Sequence, residues 1–416
     1  MRARVVHTAS WAAGFRPAWR HLRSRWLISL RLVAAAFLAA TTAANAQSDS
    51  PATPPYAAIN RKAINYAGPG RETARDLPGP EIKLGLLVPL QGPRKAQGEA
   101  LRAAAQMALE DEAANPLPGG RRLALVVRDE TGLWGRASSE IVRLVFDDRV
   151  VALLTSPEGT AAHLAEQVGN RVGVPVLTLA SDSTTTQINI PWLFRIVPND
   201  AAQARAFATN IYRERALQKV LLMVEANHDG RVGREEFEKA ARRLQAPLPD
   251  CLEIALPIAD VDSLLSEIRA RGPQAIVLWT GAETAAQLLE GIGQLPSPPA
   301  IYVCQKALQE PFLRVVEQAL GRNIWLATSR PGAPAATRQD FAARFQARTG
   351  TAPSAAATQV YDAVRLVASS LRQSGPNRAR LRDSLAKVAD FPGVSGTISF
   401  DGAGNNQAAV ALAPLK

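Results

Sequence analysis

Val150-Val151-Ala152-Leu153-Leu154-Thr155 runs into the polar turn Ser156-Pro157-Glu158-Gly159-Thr160 and a helical stretch to Arg171, and the apolar run Val174-Pro175-Val176-Leu177-Thr178-Leu179 then leads to Ser181-Asp182-Ser183-Thr184-Thr185-Thr186. Short β-branched runs separated by a helical period are the pattern of a parallel βαβ unit. Parallel strands bring the loops after their carboxyl ends to one edge of the sheet, where open α/β sheets bind ligands. Two hydroxyl-rich loops are therefore expected side by side. The stretch closes at Pro191-Trp192-Leu193-Phe194-Arg195-Ile196-Val197-Pro198-Asn199-Asp200, where a helix capped by Asp200 is expected to begin.

The same alternation extends in both directions. Upstream, strands are expected at Ile82–Pro89 and Leu123–Val127, with a helix from about Gly98 to Glu112 between them. Downstream, strand-like runs at Lys219–Val224, Leu252–Leu256, Ala275–Trp279 and Ala300–Val303 alternate with helical runs. Two successive βα arrays predict an α/β chain of two doubly wound, Rossmann-like lobes. Helices follow at 338–347, 358–372 and 378–387. Two extended runs, Gly393–Phe400 and Ala408–Ala413, then read as a hairpin around Asp401-Gly402-Ala403-Gly404-Asn405-Asn406.

The amino terminus has a different composition. Seven of the 48 Lys and Arg residues lie in residues 1–46, ahead of or within an apolar run, and none of the 37 acids does. With Ala44-Asn45-Ala46 as a small-residue cleavage pattern, 1–46 reads as a signal peptide; an uncleaved anchor is the alternative. Residues 47–80 read as a flexible lead-in rich in Pro, Ala and Gly. The formal charge of +11 falls to +4 (41 basic against 37 acidic residues) once the leader is set aside. No Lys/Arg cluster is interleaved with aromatics, so no nucleic-acid partner is expected. Cys251 and Cys304 are expected to remain unpaired. Two of the four histidines, His7 and His21, lie in the leader. The remaining pair, His163 and His228, makes by itself neither a zinc site nor a nucleophile–base pair, and no metal or cofactor is expected.

Four segments together carry a family resemblance: Lys83-Leu84-Gly85-Leu86-Leu87-Val88-Pro89-Leu90-Gln91-Gly92-Pro93, Gly173 to Thr178 with its polar sequel, Phe194 to Asp200, and Gly396-Thr397-Ile398-Ser399-Phe400-Asp401 with Gly404. In this order the chain resembles the type I periplasmic binding proteins, and within them the branched-chain amino acid receptors of ABC importers. The resemblance implies two lobes joined by three crossovers, with ligand in a cleft that closes about a hinge, as in a Venus flytrap. The lobes would be 81–198 plus 328–390, and 199–325 plus 391–416. It further implies a monomeric periplasmic protein with an ABC importer permease as partner.

In that family the first lobe holds a ligand carboxylate through hydroxyls and backbone N–H groups at helix amino termini, which favour anions. The matching positions are Thr160, Ser181 and Ser183, with Ser156 as an alternate; helix capping is the competing role for each. Glu158 and Asp182 share those loops and suit a ligand with a cationic or hydrogen-bond-donating part. In the second lobe the family's aromatic is replaced by Asp229, and its ammonium-binding acid by Gln305-Lys306. Lys306 cannot accept from an ammonium, which argues against an ordinary aliphatic amino acid; it is expected to hold a second carboxylate, to pair with Asp229, or to be a surface residue. Trp134 and Gln97 are further cleft candidates.

Glu225-x-Asn227-x-Asp229-Gly230, with Glu236, mimics a calcium loop, but a strand is expected where its entering helix is required. No Gly-x-Gly-x-x-Gly after the first strand, no nucleophile elbow and no metal cluster point to an enzyme. The expected function is solute binding for an ABC importer, with a small amino-acid-like, amide or carboxylate ligand; the alternative is a ligand-sensing receptor that feeds a signalling partner.

Overall fold

A computed structural model describes residues 75–131, 134–187, 191–295, 297–318, 323–329 and 332–414. The expected leader, and all of the lead-in before residue 75, lie outside the described residues.

The first sheet contains β1 (Glu81–Val88), β2 (Arg122–Asp129), β3 (Ala152–Thr155), β4 (Val176–Thr178) and β5 (Leu193–Arg195), in the order β2-β1-β3-β4-β5, all parallel. Helices α1 (Lys95–Glu112), α2 (Trp134–Phe146) and α3 (Gly159–Val172) connect its strands. The second sheet repeats the plan with β6 (Val220–Glu225), β7 (Asp250–Ile254), β8 (Ala275–Trp279), β9 (Ala300–Val303) and β10 (Ile324–Ser329), and adds an antiparallel edge strand β13 (Val410–Pro414); its order is β13-β10-β9-β8-β6-β7. Here the connections are α5 (His228–Arg243), α6 (Val261–Arg271), α7 (Ala282–Ile292) and α8 (Phe312–Gln318), while α4 (Asp200–Ala208) leads from the first sheet to the second. Every residue of β3, β6, β8 and β9 is buried, as expected of strands covered by helices on both faces.

Each sheet has its topological switch beside its first strand, β1 between β2 and β3, and β6 between β7 and β8. The crevices that bind ligands in such sheets open there. In both lobes the first helix is pressed onto the end of the preceding strand at a glycine. A Cβ at Gly98 would lie 1.6 Å from the Pro89 carbonyl oxygen, and one at Gly230 would lie 2.0 Å from that of Glu225. The repeat of architecture thus extends to the packing of the loops that frame the cleft.

The three later helices, α9 (Ala335–Thr349), α10 (Ala355–Ser374) and α11 (Arg378–Leu385), return to the first lobe, where Phe341, Val360, Val364, Leu381 and Leu385 join its core. The expected hairpin does not form. Instead Phe391–Pro392 and Thr397–Ile398 pair with each other as β11 and β12, and β13 pairs with β10. Residues 391–400 therefore stay with the first lobe rather than the second: Val394, Ile398 and Phe400 are in its core, and Asp362 of α10 accepts from Val394 N (2.8 Å) and Ser395 N (2.7 Å). Two further expectations shift slightly. The cap of α4 is Asn199, which accepts from Ala202 N, one residue before the expected Asp200. Cys251 on β7 and Cys304 after β9 are free, since β6 and β8 separate their strands and strands lie about 4.8 Å apart. No helix among the described residues is long and apolar enough to cross a membrane.

Candidate functional site

The loops after β1, β3 and β4 of the first lobe face those after β6, β8 and β9 of the second. Glu158 occupies the cap position of α3, yet its side chain makes no capping bond. It reaches forward, 3.1 Å from Lys306 Nζ of the second lobe and 3.1 Å from Arg94 Nη1 of its own. Lys306 also pairs with Asp229, so two carboxylates from opposite lobes share one ammonium. Burial opposes the charge on Lys306, but Asp229 and Glu158 outweigh it and hold its pKa well above the ordinary value. Gln97 Nε2 donates to Gln309 Oε1 across the same gap at 2.6 Å.

The amino terminus of α3 is already served. Gly159 N donates to Asp229 Oδ2 at 3.4 Å, so a second-lobe carboxylate sits where that helix end favours an anion. Glycine is required there: a Cβ on Gly159 would lie 2.4 Å from Asp229 Oδ1 and 2.9 Å from Asp182 Oδ2. The lobes approach this closely only because residue 159 has no side chain.

The hydroxyls of Ser156 and Ser183 face inward. Ser156 is buried and donates to Glu130 Oε1 at 2.9 Å; burial pushes Glu130 up to about 7, although Arg94 lies 3.1 Å away. Ser183 Oγ accepts from Ala201 N at 3.1 Å and so caps the start of α4. Ser181 serves the buried Asp200, which burial raises to about 7, and borders a cavity of only about 10 Å³ with Gln305, Lys306 and Gln309. Thr160 is exposed on the first turn of α3, and Trp134 opens α2 with its side chain outside the described residues.

The large space lies to one side. A groove of about 770 Å³ is walled by Arg94, Gln97 and Glu158 of the first lobe and by Glu225, Asn227, Lys306 and Gln309 of the second. Its floor is ordered by Glu225, whose carboxylate accepts from Gly281 N (2.7 Å), Thr284 Oγ1 (2.8 Å) and Asn227 Nδ2 (2.8 Å). These bonds join the loops after β6 and β8 at the switch point. They also account for the calcium-like spacing, since Glu225 ends a strand rather than a helix. A second groove of about 790 Å³ lies on the hinge side, among Asn199, Asn210, Trp325 and the tail from Asp401 to Leu412. It lies away from the strand ends that face each other, so the front groove is the candidate ligand site.

A family model described as periplasmic binding protein matches residues 81–415. The chain belongs to that family. Its members are solute-binding proteins, not enzymes. Among solved structures, the leucine-binding protein LivK of Thermotoga maritima superposes with a TM-score of 0.70 at 20% identity, over 80% of this chain and 95% of its own. LivJ of Streptococcus pneumoniae, in complex with isoleucine, gives 0.68 at 22%, over 80% and 100%. A solute-binding protein of R. palustris in complex with benzoate gives 0.71 at 19%, over 81% and 93%. At these identities the likeness is one of fold. A search of curated protein sequences returned no match.

In this binding protein, Arg94, Glu130 and Gln309, which the sequence did not single out, stand at the candidate site, together with Glu225, read from the sequence only as part of a calcium-loop mimic, and the two remaining histidines, read only as too few for a zinc site. His163 of α3 and His228 at the start of α5 meet on Asp182, with Nε2–Oδ2 distances of 3.0 and 2.8 Å. The two histidines, unremarkable alone, thus become neighbours through a third residue in another loop. Asp182 was visible as a loop carboxylate, but nothing in its spacing from either histidine signalled the contact.

Proposed function

We propose that the chain is an exported solute-binding protein of an ABC importer, which takes a small polar ligand, amino-acid-like, amide or carboxylate, into the front groove and closes its two lobes over it about the crossovers. The observation that carries this reading is the bridge of Lys306 between Glu158 and Asp229, because it puts charged groups of both lobes at one point beside a groove of ligand size. A ligand that contacts charged groups of both lobes at once binds the closed state more tightly than the open one, and that difference drives closure. The groove also explains the departure from an aliphatic amino acid receptor. Asp229 holds the helix end that would take a ligand carboxylate, and Lys306 stands where an ammonium would need an acid. A ligand with hydrogen-bond donors facing Glu158 and Glu225 and an acceptor facing Arg94 or Lys306 fits the charges present.

Thermal denaturation against amino acids, amides, dicarboxylates, aromatic acids and polyols tests this. A ligand at about 100 times its dissociation constant adds roughly 2.7 kcal/mol to stability, and Lys306→Ala is expected to remove most of that gain. A folded protein that no class stabilises, or a ligand whose effect is the same in Lys306→Ala, counts against the groove as the site.

A further inference from the structure

We propose that His163, Asp182 and His228 form a binding site for a zinc-class divalent ion that ties the two lobes together beside the cleft. His163 and Asp182 belong to the first lobe and His228 to the second. One ligand atom from each residue lies within 4.8 Å of the others, and the imidazole rings meet edge to face with centroids 5.4 Å apart. Tetrahedral zinc, with nitrogen and oxygen ligands at about 2.0–2.1 Å, spaces its donors about 3.3 Å apart. Asp182 Oδ2 already stands 3.0 and 2.8 Å from the two Nε2 atoms. Replacing the protons of those hydrogen bonds by an ion requires each pair to open by only a few tenths of an ångström.

The surroundings are those of a metal ligand set. Asp182 is 2% exposed and its other oxygen is fixed by Thr184 N (2.8 Å) and Thr184 Oγ1 (2.7 Å), which aims Oδ2 at the histidines. Thr184 Oγ1 also lies 2.9 Å from His163 Nε2, and with its proton on Asp182 it leaves that nitrogen free to turn to an ion. Behind His163, Glu166 is 4% exposed, and its Oε2, which has no hydrogen-bond partner among the described residues, lies 3.4 Å from Nδ1. A carboxylate behind Nδ1 holds the proton on that nitrogen and presents Nε2 as the ligand atom, the arrangement that orients metal-bound histidines. Two imidazoles and one carboxylate select zinc, cobalt, nickel or copper over calcium and magnesium, which take oxygen ligands. Both imidazoles are partly open to water, which supplies the fourth position.

Because His228 comes from the other lobe, all three ligands converge only in the closed form, which therefore binds the ion more tightly than the open one. Metal and cleft ligand then raise each other's affinity, as linkage requires. The test uses chelator-stripped protein titrated with zinc sulfate against a chromogenic chelator, and with cobalt(II) followed in the visible. One ion per chain is expected, with the intense visible bands of tetrahedral cobalt. His163→Ala and His228→Ala should each weaken zinc at least tenfold while their melting transitions show a folded protein, and zinc should lower the radius of gyration of Lys306→Ala but not of Lys306→Ala/His228→Ala. Equal zinc binding by the wild type and the double variant His163→Ala/His228→Ala overturns the proposal, because the ion then sits elsewhere. A cobalt spectrum no different from the aqueous ion overturns it without recourse to any variant. Neither readout depends on a cleft ligand or an importer.

Discussion

Arg195 and Lys306 are both cations enclosed by oxygens, and they do opposite kinds of work. Arg195 is fully buried, and its guanidinium donates to the carbonyls of Ala180 and Asp182, to Thr185 and Thr186, and to Asn405 of the tail. All but Asn405 belong to a single loop, and the tail residue is laid alongside β5 by Arg195's own backbone, which exchanges bonds with Gly404 and Asn406. Burial lowers its pKa only to about 10, so it stays charged. Lys306 instead takes its partners from two lobes, and each of them touches water. The first network is internal to a body and fixes the loop that carries Asp182. The second is complete only while two bodies meet, because Glu158 reaches Lys306 from the other lobe while Lys306 and Asp229 share one. Both are polar and partly or wholly dry, but only the second loses a member on opening.

Substitutions that separate the two networks should differ accordingly. Arg195→Met is expected to have the largest effect on folding, about 3–5 kcal/mol, since it strands several buried acceptors. Urea denaturation measures it, and a loss below about 1 kcal/mol would show that water replaces the guanidinium readily. Gly159→Val should leave the denaturation midpoint close to that of the wild type but push Asp229 off the start of α3 and hold the lobes apart. Scattering that shows the same compact form would mean that Asp229 simply rotates away.

The smallest effect is on pH dependence. Asp200, behind the Ser181 loop, has a folded pKa of about 7 against about 3.9 in the unfolded chain. The native state therefore binds the proton more tightly, and stability falls as pH rises from about 4 to about 7. Asp200→Asn cannot ionise. Its melting temperature should decline less over that range and exceed that of the wild type at pH 8; parallel curves would place the burial penalty elsewhere.

The fold was legible because its signals are local. Val150–Thr155 and Val174–Leu179 contain the strands β3 and β4 with α3 between them, and three of the four segments of the resemblance overlap β1, β4 and β5 of the first sheet. The tail was misread because Gly393–Phe400 and Ala408–Ala413 alternate like a hairpin, while their partners, Asp362 and β10, are remote in sequence. The site was legible only as loops. Spacing indicated that Ser156–Thr160 and Ser181–Ser183 would lie together, but not that the hydroxyls of Ser156 and Ser183 would turn inward to Glu130 and α4. Pairing of Lys306 with Asp229 was one of the roles expected for it, yet its second partner, Glu158, comes from the other lobe, and no period in the sequence encodes contacts between lobes. The same holds for Asp182 and its two histidines.

The most direct measurement is small-angle X-ray scattering of the wild type and Lys306→Ala in the absence of added solute. If Lys306 holds Glu158 and Asp229 together, the wild type scatters as the closed form and the variant shows a larger radius of gyration, because two facing carboxylates are left without their cation. Superimposable curves from two folded proteins would contradict the account, since the cleft would then close without the bridge on which the functional reading rests.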